Sequence, residues 1–534
     1  MKKDFKVLLM ATPWEVSEET EEFIDCPMPN GLAYIAGVLR KENINVKIFD
    51  PLAEGFENRK SFFQGSLKII RVGLTEEKIK KFIEEYRPNL VGISNFFTSQ
   101  ANNMFRMAGL VKEVDRNISV VVGGVHPSAA PEECLKDFNI DFVIGGEGEY
   151  VFLELAKAIA RGTPCDISST PLAIKSKTPI KAVKGIFYKE NGEIKNSGKP
   201  EIILNLDEIP MPAYNLLPME KYLGVSETIR TNRGAAGEKW MPIISSRGCP
   251  FKCIFCGANL LVGRLWRARS PQKFVDEIEY LVKNYNVRNF RIEDSNFTYN
   301  IERAKQICQE ILNRGLKIKW SLPNGVRADR ITKELVLLMK KSGCWTLSLG
   351  VEHGDQEYLN NFIGKSLDLK KTLKAAKIIS GAGIPSSAFF MMGFPGEKKE
   401  QMLKTADLAI KMAKAGVMPL ISIVIPLPGT KVMEICRQEK LLAKENMDSL
   451  DFLLVHHSRP IIMNPQVSNK ELLDLRRKTR IKAALILFLY HPILFFKYPF
   501  LVNLFKSFKD FRSIAEGIKL VYSKFNLFSY KGED

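Results

Sequence analysis

Short apolar runs alternate with amphipathic segments over residues 5 to about 160. The apolar runs predict five buried strands, at 5–10, 46–49, 90–94, 118–122 and 141–144. The segments between them have helical periodicity, at 31–41, 76–86, 101–114 and 150–159. This alternation predicts a parallel sheet covered by helices on both faces, which is a doubly wound α/β fold. Ligands of such sheets bind beyond the carboxyl ends of the strands.

The alternation stops between residues 161 and 240. Residues 185–194 predict a hairpin around Asn191-Gly192, because that dipeptide favours the tight turns of two-residue hairpins. Residues 206–214 contain two prolines and are typical of a connector. We interpret 161–240 as a linker between two domains and assign it no chemistry.

Strand–helix alternation returns between residue 241 and about 450. Residues 243–248 predict a short buried strand that enters a glycine turn, and helical patterns lie at 301–313 and 334–341. Ser270-Pro271 has the residue types of a helix start. Further strands are predicted at 289–293, 317–321, 345–350, 385–392 and 419–425. Six such units predict a partial (βα)6 barrel of the TIM type, which binds ligands where the loops after its strands converge.

The last segment, 451–534, predicts a mainly helical extension. Residues 483–496 are apolar on all sides, but Pro492 and Lys497 interrupt the run, and a spanning helix needs about 20 apolar residues. Residues 471–534 carry 12 Lys+Arg against 6 Asp+Glu. Basic residues beside Phe and Leu predict an interfacial anchor at 480–530 on an anionic membrane. A helix pair that caps the barrel or docks on the first domain is the alternative.

The length of 534 residues exceeds a single core and favours several domains, which we place at 1–160, 161–240, 241–450 and 451–534. A formal net charge of +18 suggests an anionic partner, either nucleic acid or a membrane surface, although a lysine-rich proteome explains it as well. No tract of basic and aromatic residues is arranged to read nucleic acid, so we expect no nucleic-acid partner.

Six of the nine cysteines are isolated, which favours a reducing cytosol, where single cysteines are usually small buried apolar residues. The N-terminus has no long apolar run or cleavage site. We therefore expect a cytoplasmic protein, at the inner face of the membrane if the tail binds there. The isolated cysteines are Cys26, Cys134, Cys165, Cys308, Cys344 and Cys436.

The other three cysteines lie within eight residues, directly after the first predicted barrel strand; they are Cys249, Cys253 and Cys256. Cys thiolates hold iron–sulfur clusters, and most electron-transfer clusters use four of them. Three thiolates at this spacing can bind three irons of a cubane and leave the fourth iron to a small chelating molecule. A zinc site or plain structural cysteines are the alternatives, although no second Cys or His pair follows at the spacing that zinc usually needs.

Polar residues and glycines follow the other predicted strands. In the barrel region they are Glu293, Asp294, Asn296, Arg327, Glu352, His353, Gly393 and Pro428. In the first domain they are Gly124, His126, Gly146 and Glu147. Glycines at strand ends let backbone approach a ligand closely. No G-x-G-x-x-G opens the first helix, so a dinucleotide site is not expected.

The C-x3-C-x2-C spacing after a strand resembles that of the radical S-adenosylmethionine (SAM) enzymes. The loops 123–128 and 145–149 and the segment 31–37 resemble the Rossmann-like cobalamin-binding domain that precedes many radical SAM cores. Residues 1 to about 430 therefore resemble the cobalamin-binding radical SAM superfamily. That family includes hopanoid-type lipid methylases and the anaerobic cyclase of magnesium-protoporphyrin monomethyl ester.

The resemblance implies three cofactors, namely a [4Fe-4S] cluster on the three clustered cysteines, SAM on the open iron, and cobalamin. It implies SAM contacts from Glu293 or Asp294, Asn296, Arg327 through a bidentate fork, Glu352, Gly393 and Pro428. It implies cobalamin contacts from Gly124, His126, Gly146 and Glu147.

Two roles stay open. The Asp-x-His-x-x-Gly motif of cobalt-ligating methyltransferases is absent, so we expect His126 to fix its loop or line the corrin pocket rather than bind cobalt. His353 stands where the family usually has serine, and we expect it to pack or donate a hydrogen bond, with proton transfer as the alternative. A first domain that holds no cofactor is also possible, since some relatives have lost cobalamin.

The resemblance further implies reductive cleavage of SAM, with electrons from an external donor such as ferredoxin or flavodoxin, and removal of hydrogen from an unactivated carbon. We expect cobalamin-dependent C-methylation of an apolar, lipid-like substrate. An oxidative cyclase or other radical rearrangement is the second hypothesis. A non-catalytic iron–sulfur or cobalamin carrier is the third.

Overall fold

The computed structural model describes residues 5–65, 67–161, 182–228, 238–444, 447, 449–455 and 460–496. The strands of these residues form one large sheet in each half of the chain and two small sheets. In the first half the strands are β1 (Lys6–Met10), β2 (Trp14–Ser17), β3 (Asn45–Phe49), β4 (Arg59–Gln64), β5 (Leu67–Val72), β6 (Leu90–Ser94), β7 (Ser119–Gly123), β8 (Phe142–Ile144), β9 (Ile186–Glu190) and β10 (Glu193–Asn196). In the second half they are β11 (Trp240–Ile243), β12 (Ser246–Arg247), β13 (Arg267–Ala268), β14 (Asn289–Ile292), β15 (Lys319–Val326), β16 (Cys344–Glu352), β17 (Ser386–Met392) and β18 (Met418–Ile423).

Helices connect and cover these strands. Those of the first half are α1 (Asn30–Lys41), α2 (Pro51–Glu54), α3 (Glu76–Tyr86), α4 (Ala101–Val114), α5 (Val125–Ala129), α6 (Pro131–Lys136) and α7 (Glu149–Ala160). The later ones are α8 (Met219–Thr228), α9 (Ala258–Val262), α10 (Pro271–Tyr285), α11 (Ile301–Asn313), α12 (Lys333–Lys341), α13 (Gln356–Asn361), α14 (Leu369–Gly381), α15 (Lys399–Lys414), α16 (Lys431–Gln438), α17 (Ser449–Val455), α18 (Asn469–Tyr490) and α19 (Pro492–Phe496). Short 3-10 turns lie at Glu18–Phe23, Thr98–Gln100, Leu206–Glu208, Tyr214–Leu216 and Ala328–Arg330.

The predicted doubly wound domain is confirmed. Its five parallel strands stand in the order β8-β7-β6-β1-β3. Alternate side chains of β1 enter different cores, because Val7 and Leu9 pack with α1 and α7, whereas Leu8 and Met10 pack with α3 and α4. The near-continuous apolar runs follow from this burial on both faces.

The predicted hairpin forms, with Asn191 at φ +52° and Gly192 at φ +80°. It lies inside the segment that we interpreted as a linker, but it extends the first sheet. The strand β9 pairs antiparallel with β8, so that Ile144 stands opposite Ile186. The pattern at 185–194 predicted the turn, while pairing with a strand some forty residues earlier depended on tertiary structure.

A three-stranded antiparallel sheet, β2-β5-β4, was not predicted. The strand β4 is mostly exposed, and Phe63 there has 73% of its surface in solvent. A strand with so little burial has no strict apolar alternation to read, which explains the omission.

The predicted partial barrel is confirmed as an open six-stranded sheet, in the order β11-β14-β15-β16-β17-β18 with every neighbouring pair parallel. The helix α10 starts as predicted, with Pro271 in its first turn and the Ser270 hydroxyl accepting from Lys273 N. The first strand ends at Ile243, earlier than predicted. Ser246 and Arg247, which were predicted to belong to this strand, pair instead with β13.

The described part of the C-terminal segment packs on the barrel. The helix α18 buries Ala483, Ala484 and Leu487 against α15 and β18. Its other side exposes apolar side chains, namely those of Ile481, Phe488, Leu489 and Tyr490. Among the described residues, no helix is both long enough and apolar enough to cross a membrane. Most of the predicted anchor at 480–530 lies outside the described residues, so membrane contact stays a prediction.

Five of the isolated cysteines are free and buried, as expected: Cys26, Cys134, Cys308, Cys344 and Cys436. Cys165 lies outside the described residues.

Candidate active site

The loop that carries the three clustered cysteines is fixed by backbone contacts on several sides. Gly248, directly before the first cysteine, has φ +84°, and a Cβ there would lie 2.1 Å from the carbonyl oxygen of Leu265. Ile254 N donates to Ile363 O at 3.0 Å, and Ile254 O accepts from Val432 N at 3.1 Å. The loop therefore rests between the segment after α13 and the start of α16, and only glycine fits at its entrance.

The three thiols are free and partly buried. Burial raises the pKa of the Cys253 thiol to about 11, against the opposing charge of the Lys365 ammonium, and burial also raises the pKa of Cys256. Iron binding must therefore displace protons from these thiols. In the described ranges, no three His, Cys, Asp or Glu side chains converge on one metal ion. Three thiols on one loop suit a cubane, because each cysteine binds a different iron there.

The carboxylate of Asp294, which follows β14, holds the chain that leads into the cysteine loop. It accepts from Ser245 N, Ser245 Oγ and Ser246 Oγ, each at 2.6 Å. The carboxylate thus already accepts from three donors of the chain, and the predicted contact of Asp294 with SAM stays a prediction. Glu293 is half-buried beside it. Asn296 is buried, and neither its amide nitrogen nor its amide oxygen has a partner among the described residues, which leaves both for a ligand.

Arg327 does not offer the bidentate fork to a ligand in this arrangement. Its Nε and Nη2 pair with the two carboxylate oxygens of Asp329 at 3.0 and 2.8 Å. Its Nη1 and Nη2 also donate to the carbonyls of Lys365 and Ser366. The guanidinium lies 3.7 Å from the ring centroid of Phe251 in the cysteine loop. Arg327 therefore positions two loops, and its predicted pairing with SAM stays a prediction.

Glu352, at the end of β16, forms a buried ion pair that the sequence did not reveal. Its Oε1 accepts from Lys365 Nζ at 2.7 Å, and both side chains are about nine-tenths buried. Glu352 has φ +72°, a conformation that is uncommon for residues other than glycine and is often found at functional sites. The only sequence signal for Lys365 was its place directly after Gly364.

His353 is fully buried and donates a hydrogen bond, in agreement with the expectation of packing or hydrogen bonding. Its Nδ1 accepts from Asp355 N, so Nε2 carries the proton and donates to Glu397 Oε1 at 2.8 Å. The other oxygen, Glu397 Oε2, accepts from Gly393 N at 2.7 Å and Phe394 N at 3.0 Å. His353 and Glu397 therefore fix the turn after β17.

The loops of the first domain meet the barrel. Gly124 has φ +113°, and a Cβ there would lie 2.3 Å from Asn95 O, so glycine is required.

His126 is buried and lines a cavity of about 70 Å³, together with Pro428 of the barrel. Pro428 was predicted beside SAM, and the structure places it against the first domain. The two ring nitrogens of His126 have no partner among the described residues. Burial lowers the pKa of His126 to about 4, so it is neutral at physiological pH.

Glu147 joins the two domains. Gly146 N donates to Ser128 Oγ at 3.0 Å. The Glu147 oxygens accept from Arg247 at 2.9 Å and from Arg267 at 2.6 Å. Glu149, two residues later, pairs with Arg247 at 2.6 Å. Both Glu147 oxygens therefore serve this buried ion network, and the predicted contact of Glu147 with cobalamin stays a prediction.

A second buried group ties the connecting segment to the barrel. Glu277 of α10 is fully buried and pairs with Arg269, and the Tyr214 hydroxyl donates to the same carboxylate. A single cluster of buried apolar side chains also continues from the first domain into the barrel. The two domains are thus joined by both apolar and charged contacts.

Two family models match the chain, that of the radical SAM superfamily over residues 243–409 and that of the B12 binding domain over residues 25–156. The chain is 32% identical over 445 residues to an uncharacterised methyltransferase of Pyrococcus horikoshii, which covers 83% of this chain and 86% of the relative. It is 32% identical over 397 residues to the cytidylyl-2-hydroxyethylphosphonate methyltransferase of Streptomyces wedmorensis, covering 72% and 73%. It is 29% identical over 338 residues to the anaerobic magnesium-protoporphyrin IX monomethyl ester cyclase of Rubrivivax gelatinosus, covering 63% and 56%.

Two solved structures share the fold. The radical SAM methyltransferase TsrM from Kitasatospora setae, with cobalamin and a [4Fe-4S] cluster bound, has a TM-score of 0.60 and 18% identity, covering 83% of this chain and 76% of that one. The cobalamin-dependent radical enzyme OxsB, with aqua-cobalamin and SAM bound, has a TM-score of 0.65 and 19% identity, covering 91% and 66%.

The fold and the cysteine loop define a radical SAM enzyme. The chain belongs to the cobalamin-dependent family of the radical SAM superfamily, which includes methyltransferases. The cofactors of this family are a [4Fe-4S] cluster, SAM and cobalamin. Three free thiols on one anchored loop fit the cluster, and the open amide of Asn296 fits a polar ligand.

Removal of Glu147 should weaken the domain interface. Glu147→Ala leaves Arg267 and one arm of Arg247 buried without a carboxylate, and breaking a buried pair in this way costs about 3–5 kcal/mol. We expect a clearly lower midpoint of thermal unfolding. Glu434→Ala is the control, because its pair with Lys431 is exposed and contributes at most about 1 kcal/mol. Equal midpoints for the two variants would contradict the role of the network.

His126 should make the protein less stable as the pH falls from 6.5 towards 4. The unfolded chain binds a proton at the ordinary histidine pKa of 6.5, whereas the folded chain binds it only near pH 4. The free energy of unfolding therefore falls with decreasing pH over this range, by about 3 kcal/mol in all. Thermal unfolding of His126→Asn should depend less on pH there. The control is His491→Asn, because His491 is partly exposed. If the unfolding midpoint of His126→Asn changed with pH as steeply as that of the wild type, the prediction would be refuted.

Proposed function

We propose that this enzyme methylates an unactivated carbon of a small-molecule substrate and that Cys249, Cys253 and Cys256 hold its cluster. The observation that supports this most directly is the loop of three free, partly buried thiols, placed at the strand ends of an open barrel and joined to a cobalamin-type domain. When bound, the cluster supplies the electron that splits SAM, and cobalamin supplies a carrier for the methyl group. The electron comes from an external protein donor such as ferredoxin or flavodoxin.

The residues of the chain then bind and orient these cofactors. We propose that the open amide of Asn296, together with Glu293 and Glu352, contacts SAM, and that the turn at Gly393 lies along it. This turn is kept rigid by Glu397 and His353, so a ligand that binds there meets a preformed surface. Asp294 and Arg327 act one step further away, by holding the loops that carry these contacts.

We propose that cobalamin lies against the loops at Gly124 and Gly146, with His126 lining the space beside it. The aromatic side chains of Phe96 and Phe97 follow β6 at the same edge and are 58% and 43% exposed. Their rings contact each other at 5.1 Å between centroids. Exposed aromatic rings at the carboxyl end of a parallel sheet are suited to cover the apolar face of a large planar cofactor.

An oxidative cyclisation or other radical rearrangement is the second candidate, and the similarity to the cyclase of Rubrivivax gelatinosus supports it. That similarity covers 63% of this chain at 29% identity, whereas both methyltransferase relatives are 32% identical over larger parts of the chain, so we place methylation first. A non-catalytic carrier remains the third hypothesis.

Products of SAM distinguish these candidates. After anaerobic reconstitution with iron, sulfide and cobalamin, S-adenosylhomocysteine together with 5′-deoxyadenosine is expected for methylation. Release of 5′-deoxyadenosine alone would favour rearrangement, and a cluster without SAM cleavage would favour the carrier. The variant with all three clustered cysteines changed to Ala should bind no cluster and form neither product. Cys308→Ala, at a buried isolated cysteine, should retain both and is the control.

We also propose that the enzyme works at the cytoplasmic face of an anionic membrane on a lipid-like substrate. The exposed apolar side chains of α18 and α19 and the basic surplus of residues 471–534 support this. The full chain should sediment with vesicles that contain phosphatidylserine and much less with pure phosphatidylcholine. Leu489→Glu with Ile493→Glu should lower binding several-fold. Leu337→Glu, an exposed leucine of α12, is the control, and equal sedimentation of all variants would contradict the proposal.

A further inference from the structure

The segment 363–366, which follows α13, contacts the cysteine loop along its backbone. Ile363 O accepts from Ile254 N at 3.0 Å. Gly364 has φ +77°, and a Cβ there would lie 2.8 Å from Lys252 O and 3.8 Å from Cys253 N. This contact excludes a side chain at residue 364 and places the next residue, Lys365, beside the cysteine loop.

The side chain of Lys365 turns inward and not to solvent. Its Nζ pairs with Glu352 Oε1 at 2.7 Å, and the relative exposures of the two side chains are 11% and 9%. Both charged groups lie over Gly350, because a Cβ there would approach Lys365 Nζ to 2.8 Å and Glu352 Oε1 to 2.9 Å. The missing side chain at Gly350 therefore makes the space that the ion pair fills.

Both charges lie beside the cysteine loop, because Gly364, the residue before Lys365, packs against the backbone of Lys252 and Cys253. The 2.7 Å contact between Lys365 Nζ and Glu352 Oε1 pairs an ammonium with a carboxylate, and both side chains are buried there. Burying charges costs free energy, and the unusual backbone conformation of Glu352 adds to that cost. An ion pair at this position therefore indicates a role other than stabilising the fold.

We propose that Lys365 and Glu352 are positioning residues that set the reduction potential of the cluster, with the Lys365 ammonium raising it and the Glu352 carboxylate lowering it. The inference rests on the proposed binding of the cluster by Cys249, Cys253 and Cys256. One-electron reduction adds a negative charge to the cluster. A buried cation beside the ligands stabilises the reduced form, and a buried anion destabilises it.

The test is an EPR-monitored redox titration of the reconstituted full chain, without SAM and with titanium(III) citrate as the reductant. Lys365→Met should shift the midpoint potential to lower values, and Glu352→Gln should shift it to higher values. Lys365→Arg keeps the charge and should stay near the wild-type potential. Lys404→Met is the matched control, since Lys404 also pairs with a carboxylate, that of Asp355 at 2.6 Å, but is itself 61% exposed.

Opposite shifts in the two variants support the proposal, because loosened packing alone would not move the potential in opposite directions. Unchanged potentials, or shifts of the same sign, overturn it. Iron content and the visible spectrum of each variant separate this outcome from failure of the proposed function. A wild-type chain that takes up no cluster overturns both, whereas normal clusters with unshifted potentials overturn the redox role alone.

Discussion

A buried ion network between the first domain and the barrel determines where the cysteine loop stands. Arg247, two residues before Cys249, bonds both Glu147 and Glu149 of the first domain, and Arg267 shares Glu147. Buried charges are tolerated only with partners, so the two domains cannot slide along this contact without leaving arginines unpaired. The loop proposed to face cobalamin and the loop proposed to hold the cluster are thereby held in one fixed relation.

Charged residues at the ends of the barrel strands also mostly hold backbone in place. Asp294 holds Ser245 and Ser246, and Glu397, oriented by His353, holds the turn after β17. The polar atoms left without partners among the described residues include those of Asn296 and His126, one in each domain. The site is thus a rigid frame of paired charges around a few open polar groups, which suits cofactors that carry the difficult chemistry themselves.

Much of the fold could be predicted because the local periodicity of apolar residues indicates where strands and helices form. Most strands of both large sheets, the start of α10 at Ser270-Pro271 and the turn at Asn191-Gly192 follow from neighbouring residues. The sheet formed by β2, β5 and β4 could not be predicted in this way, since β4 is mostly exposed and lacks a buried face. The cysteine motif predicted the location of the site, and the radical SAM family model spans residues 243–409, which include that motif.

The sequence by itself determined the two α/β halves, the cysteine loop and the glycines at strand ends, because each depends on residues adjacent in the chain. Only the tertiary structure decided which polar residues face a ligand and which hold another loop. Glu147 and Arg247 are 100 residues apart, Arg267 is 120 residues from Glu147, and Lys365 meets Glu352 only after α13 brings the chain back. The sequence shows the charge of a side chain, but the fold selects its partner. A buried charge pairs with whichever opposite charge the packing brings within hydrogen-bonding distance.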